Sequence, residues 1–170
     1  MDLIVKENNL AVWGKQKFRC AIGRNGFVAA RAKVEGDGMT PIGRWIMREV
    51  FYHPERERPP LTLLPTLPLR KEDGWCDAPD DPEYNRQVLL PYGASAESLW
   101  REDALYDIFV VLGYNDDPVA PEKGSAFFLH IASPDFSPSA GCVTLAREDL
   151  LTVLRGADKE SAVYVAPSPW

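Results

Sequence analysis

Histidine is nearly absent from this chain, and the two copies present, His53 and His130, are accompanied by only three cysteines. Cys20, Cys76 and Cys142 are odd in number and far apart, and no C-x-x-C pair occurs. The sequence therefore signals neither a disulfide framework nor a zinc site, and no metal or cofactor is expected. Lysine and arginine never form a run and the net charge is −6, which argues against nucleic acid or an anionic membrane as a partner, since both demand a basic patch. No apolar run approaches membrane-spanning length, so no membrane insertion is expected. The opening Met1-Asp2-Leu3-Ile4-Val5-Lys6-Glu7-Asn8-Asn9 lacks a basic segment leading into an apolar core. The expectation is a cytoplasmic protein, or a periplasmic one if a signal has been removed. A phosphate loop is missing too: Glu35-Gly36-Asp37-Gly38-Met39-Thr40-Pro41-Ile42-Gly43 is rich in glycine, but no Gly-Lys-Ser/Thr closes it. Without repeats, low-complexity tracts or linkers, 1–170 reads as a single domain with a substantial core.

What is present is mostly strand. Leu3-Ile4-Val5-Lys6, Leu10-Ala11-Val12-Trp13 and Lys17-Phe18-Arg19-Cys20-Ala21-Ile22 largely alternate apolar and polar residues, which predicts successive antiparallel strands with Cys20 in the core. A turn at Gly23-Arg24-Asn25-Gly26 and the glycine-rich crossing lead to a strand over 44–52. Buried strands are expected at 106–112 and 124–129, and a closing strand at 162–165 precedes a short tail, 166–170. The principal helix is predicted over 146–155, with acids in its first turn, Arg155 in its last and Gly156 as a stop; a short helical signal occurs at 97–101. Between 53 and 82 prolines and clustered charges support little regular structure, although the leucines there suggest an excursion that packs down, as a flap over a cleft. His53 and Cys76 fall in it and read as structural or loop residues.

One stretch carries chemistry. Phe127-Phe128-Leu129-His130 is an apolar run ending at a histidine, and after Ile131-Ala132-Ser133-Pro134-Asp135-Phe136-Ser137-Pro138 the chain returns through Ser139-Ala140-Gly141-Cys142-Val143-Thr144. A thiol of ordinary pKa, about 8.5, is mostly protonated at neutral pH, so an imidazole within hydrogen-bond reach is its usual activator. Two Ser-Pro pairs stiffen the return path, and Gly141 permits a sharp turn that exposes backbone amides as a candidate oxyanion hole. The plainer alternative is a small buried cysteine and a core histidine.

Ser139-Ala140-Gly141-Cys142-Val143-Thr144, with His130 before it and the Glu35–Gly43 stretch far upstream, resembles the L,D-transpeptidase catalytic domain, or YkuD-like, family over most of the chain. That family carries a Ser-His-Gly-Cys-x-Arg signature with a further histidine upstream. Ser139, Gly141 and Cys142 match it and His130 matches the upstream base, whereas Ala140 and Thr144 replace the signature histidine and arginine. The resemblance implies a mainly β domain, an L,D-transpeptidase-like β-sandwich with one principal α-helix after the nucleophile loop. It further implies that Cys142 forms an acyl-enzyme with a peptidoglycan stem tetrapeptide at the L,D bond. His130 serves as base, the Ile131 carbonyl orients its ring, and amides near Gly141 hold the oxyanion. Ser139, Arg101, Tyr114 and Asn115 are candidate substrate-binding residues, arginine because its planar fork suits a carboxylate. With soluble muropeptides as partners, hydrolysis makes the protein an L,D-carboxypeptidase that releases terminal D-Ala in peptidoglycan recycling. An L,D-transpeptidase is the alternative, and a non-catalytic peptidoglycan-binding module, suggested by Ala140 and Thr144, is a third reading.

Overall fold

The computed structural model describes residues 1–168; Pro169 and Trp170, the end of the expected tail, lie outside the described residues. The alternating opening forms a meander in which β1 (Asp2–Lys6), β2 (Leu10–Trp13) and β3 (Gln16–Ala21) pair antiparallel in sequence. Asn8 and Asn9, both at positive φ, make the first turn, a conformation asparagine tolerates better than most residues. Leu3, Val5, Ala11, Trp13, Phe18 and Cys20 all enter one core, so the period of two in the sequence is the burial of one face.

The chain continues through β4 (Phe27–Ala29), β5 (Thr40–Tyr52), β6 (Thr66–Pro68), β7 (Asp73–Cys76), β8 (Gln87–Leu89), β9 (Ala96–Ser98), β10 (Ile108–Leu112), β11 (Phe128–Ile131) and β12 (Val143–Leu145). Helix α1 (Arg147–Gly156) and β13 (Ala162–Val165) complete it. The long strand β5 closes the sheet. Residues 43–46 pair with β13 and residues 47–52 with β10, so the path β5-β10-β11-β12-β3-β2-β1-β13 returns to β5 as a barrel-like sandwich. Closure removes most open edges, and β4 and β6 add to β5 in parallel. The helix, shifted by one residue from its expected span, sends Leu150, Val153 and Leu154 into the core shared with β1 and β12.

A second core lies on the opposite face of β5, β10 and β11. Phe51, Phe109 and Phe128 stack there with Trp75, Leu99 and Tyr106 beneath the small sheet β8-β7-β9. All five residues of β10 are buried, which explains why 108–112 reads as an unbroken apolar run.

Three expectations change. The segment at 97–101 is not helical: Glu97 lies in β9 opposite Trp75, and Leu99 is fully buried. Five residues are too few to sustain a helix without tertiary support, and here ladder bonds and burial favour the strand. The proline-rich stretch supplies β6 and β7, and it packs down through Leu64 and Leu69 while Leu61 and Leu63 remain exposed. Cys76 ends β7 in full burial rather than lying in a loop, and His53 is buried against the Trp100 ring at 3.9 Å. Among the described residues, no helix is long and apolar enough to cross a membrane.

Candidate active site

β11 and β12 run parallel, with Leu129 opposite Val143 and His130 opposite Thr144. Alternation sends Leu129 and Val143 into the barrel core and leaves Phe128, His130 and Cys142 on the other face, so a histidine can end an apolar run without entering the core. Nδ1 of His130 lies 2.9 Å from the Ile131 carbonyl oxygen. A carbonyl can only accept, which assigns the proton to Nδ1 and leaves the lone pair on Nε2. The Tyr106 ring stands edge-on to the imidazole at 5.1 Å, and burial lowers its pKa to about 4 against the opposing pull of the Ile131 carbonyl.

Cys142 donates its thiol proton to the Ala126 carbonyl at 3.2 Å, and its sulfur accepts the Phe128 N–H at 3.4 Å. Burial pushes the thiol up to about 12, with the Phe128 amide acting in the other direction. At neutral pH the resting pair is therefore neutral thiol and neutral imidazole, not a thiolate facing an imidazolium. Cys20, buried in the barrel, is likewise pushed up to about 12 and is inert core. Thr144, at the position of the signature arginine, is buried with its hydroxyl unpartnered.

The nucleophile loop is fastened at three points. Gly141 adopts φ +146°, and a Cβ there would come 2.9 Å from the Met39 carbonyl, so the position demands glycine. Ser139 Oγ donates to the Cys142 carbonyl at 2.6 Å and accepts the Gly141 N–H at 3.0 Å. This corrects two expectations: Ser139 is spent on holding the loop, and the Gly141 amide is tied to that hydroxyl rather than open as an oxyanion donor. Thr40 Oγ1 accepts the Gly23 N–H and donates to the Gly141 carbonyl, each at 2.8 Å, while Asp37 accepts from Lys33 and from the Val34 and Met39 amides. The glycine-rich crossing is thus architecture for the nucleophile loop. Thr40→Val keeps the shape but orphans two buried backbone groups, so a loss of about 2–4 kcal/mol is expected by urea denaturation. An unchanged midpoint would mean that the hydroxyl holds nothing.

Cys142 lines a cavity of about 340 Å³ together with Lys33, Glu35, Asp77, Glu97, Tyr106 and Tyr114. His130 is not among its lining residues. Three carboxylates face the space: Ser125 donates to Glu35, Ser95 donates to Asp77 at 2.6 Å, and Tyr106 donates to Glu97 at 3.3 Å. Burial raises Glu97 to about 7, and the charges of Asp77 and Glu35 add to the shift. Lys33, the cation in the lining, is committed to Asp37.

Of the expected substrate contacts, Tyr114 lines the cavity but its hydroxyl donates to the Lys123 carbonyl. Arg101 and Asn115 stand outside the lining: the guanidinium is bidentate to Asp103, and the Asn115 side chain closes its own loop onto Ala120 and Gly124. Asn85, not anticipated, joins the Trp75 indole, the Ala126 amide and the carbonyls of Tyr114 and Asn115, and so fixes the residue whose carbonyl receives the thiol. Glu97 and Tyr106 were equally unanticipated, one hidden in an apparent helix and the other at the head of an apolar run.

No curated protein and no solved structure matches the chain. The model of the L,D-transpeptidase catalytic domain, YkuD, matches residues 3–165, which takes in the barrel, the small sheet and the loop that carries Cys142. With nearly its whole length covered, the chain belongs to the L,D-transpeptidase catalytic domain family, cysteine enzymes of the peptidoglycan.

Proposed function

We propose that Cys142 is the acylated nucleophile in cleavage of a peptidoglycan stem tetrapeptide between its L-centre and the terminal D-Ala, and that water then hydrolyses the thioester, making the protein an L,D-carboxypeptidase. The observation that carries the reading is that Cys142 lines the cavity of about 340 Å³ and lies on the sheet face it shares with His130. Because thiol and imidazole both rest neutral, the thiol proton passes to Nε2 of His130 as sulfur attacks the carbonyl. The Ile131 carbonyl orients the ring and stabilises the imidazolium through Nδ1–H, the part an acidic third member takes in other triads. With the Gly141 amide occupied, the Cys142 N–H is the loop donor for the oxyanion. Nε2–H then protonates the departing D-Ala nitrogen and the thioester remains.

A specific observation favours a second reading. Glu35, Asp77 and Glu97 make the cavity acidic beside the sulfur, which suits a cationic amine as acceptor and hence L,D-transpeptidation. Incubation with soluble tetrapeptide muropeptides, with Cys142→Ala as control, separates the two by mass spectrometry. Loss of D-Ala without dimers supports the carboxypeptidase; dimers, or exchange for an added D-amino acid, support the transpeptidase. Absence of both with wild-type protein leaves only a binding module.

A further inference from the structure

We propose that Glu97 is the general base of the second half-reaction, taking a proton from the acceptor as it attacks the Cys142 thioester. The proposal rests on the acyl-enzyme reading above and holds whether the acceptor is water or an amine.

The acceptor has to reach the thioester after D-Ala has left, and the space open to it is the cavity that Cys142 lines. Glu97 is in that lining and His130 is not. A base must lie within hydrogen-bond reach of the proton it removes; Glu97 borders the space the acceptor crosses, and its charge acts on the Cys142 sulfur. Glu97 also has capacity to spare. Its hydrogen bond is the long one from Tyr106, and among the described residues no cation pairs with it: Lys33 is held by Asp37, and Arg101 is held by Asp103 with its guanidinium over the Tyr106 ring. Position comes from both sides, since β9 pairs with β7 through Glu97 opposite Trp75, and Tyr106 is packed against Phe109, Phe128 and His130.

The charged neighbours then set its basicity. Asp77, from the end of β7, and Glu35, from the crossing before β5, add to the effect of burial; the Tyr106 hydroxyl and Arg101, from the segment before β10, oppose it. Cys142, from the nucleophile loop, and Lys33, from the crossing, border the same space. The outcome, about 7, is a carboxylate available at neutral pH yet more basic than the His130 imidazole at about 4. His130, on the sheet face it shares with Cys142, fits the first step, and Glu97 fits the second.

The protons balance. With water, Glu97 takes one proton as the oxygen bonds to the carbonyl carbon; the C–S bond breaks, and that proton goes to the thiolate to restore thiol and carboxylate, with the free acid as product. With an ammonium, Glu97 takes the first proton to free the nitrogen lone pair and later releases it to solvent. The second N–H proton goes to sulfur as the amide forms.

The test is rapid-quench intact-mass analysis of wild type, Glu97→Gln and Glu97→Asp with soluble tetrapeptide, near-UV circular dichroism confirming the fold of each. Glu97→Gln is expected to form the Cys142 adduct at close to the wild-type rate and to lose it about 10²–10⁴-fold more slowly, so that acyl-enzyme accumulates. Wild-type deacylation should rise with pH through about 7, the limb should vanish in Glu97→Gln, and Glu97→Asp should restore part of the rate. Wild-type deacylation by Glu97→Gln with the limb intact overturns the proposal, as does equal slowing of both half-reactions, which marks a structural role. Failure of wild type to form any adduct at Cys142 instead removes the acyl-enzyme reading itself, and the proposal with it.

Discussion

Cys142→Ala is expected to release no measurable D-Ala, and His130→Ala to acylate about 10²–10⁴-fold more slowly than wild type while remaining folded. The first loss is complete because no other thiol reaches the cavity: Cys20 is buried in the barrel and Cys76 lies outside the lining. The second is partial, since the Phe128 N–H and the Ala126 carbonyl still hold the sulfur in place. The pH dependence discriminates further. An active site that rests as an ion pair gives an acylation profile shaped by both groups near neutrality. Here burial sets the imidazole at about 4 and the thiol at about 12, so both are neutral between those values and acylation should be nearly flat from about pH 5 to pH 9. Only below that range should the rate fall, as His130 gains the proton that prevents it acting as a base. Single-turnover acylation followed by intact mass across this range is the check. A bell centred on neutrality would contradict the neutral pair, and an unaltered rate in His130→Ala would remove the histidine from the reaction.

The parts of the molecule that were legible in advance are those whose physics is local. Alternation in 3–22 is visible because β1 to β3 bury one face, and the run at 108–112 is visible because β10 buries both. The nucleophile loop was legible for the same reason: histidine, Ser-Pro pairs, glycine and cysteine fall within thirteen residues. What stayed hidden depends on segments meeting across the fold. The Gly141 amide could not be known to be occupied without the Ser139 rotamer, and the apparent helix at 97–101 carries no mark of the β7 ladder that takes Glu97 and Ser98 into β9. Arg101 has the chemistry for a carboxylate, but Asp103 two residues on supplies that carboxylate from the chain itself. Asn85 is the extreme case, because its side-chain partners are 10, 29, 30 and 41 residues away and nothing in Tyr84-Asn85-Arg86 announces them.

Asn85→Ala is accordingly expected to be the most destabilising single change near the site, by roughly 4 kcal/mol or more, a large part of the stability of an ordinary domain. The side-chain oxygen accepts the Trp75 indole N–H and the Ala126 N–H, both at 2.9 Å; the nitrogen donates to the Tyr114 carbonyl at 3.1 Å and the Asn115 carbonyl at 2.8 Å. The residue is 6% exposed, so water cannot replace these bonds, and each orphaned buried group costs about 1–3 kcal/mol. Its backbone, at φ +57°, adds a smaller conformational penalty for alanine, which glycine would avoid. Chemical denaturation of Asn85→Ala beside Asn85→Gly separates the two: if the hydrogen bonds dominate, glycine rescues only a minor share. The consequence should reach catalysis, because the Ala126 amide held by Asn85 belongs to the residue whose carbonyl accepts the Cys142 thiol. With that segment released, the sulfur loses a fixed partner, and acylation should fall even at temperatures where the variant is fully folded. A stability loss under about 1 kcal/mol, or normal acylation in the folded variant, would show that the small sheet and the nucleophile loop are not coupled through this side chain.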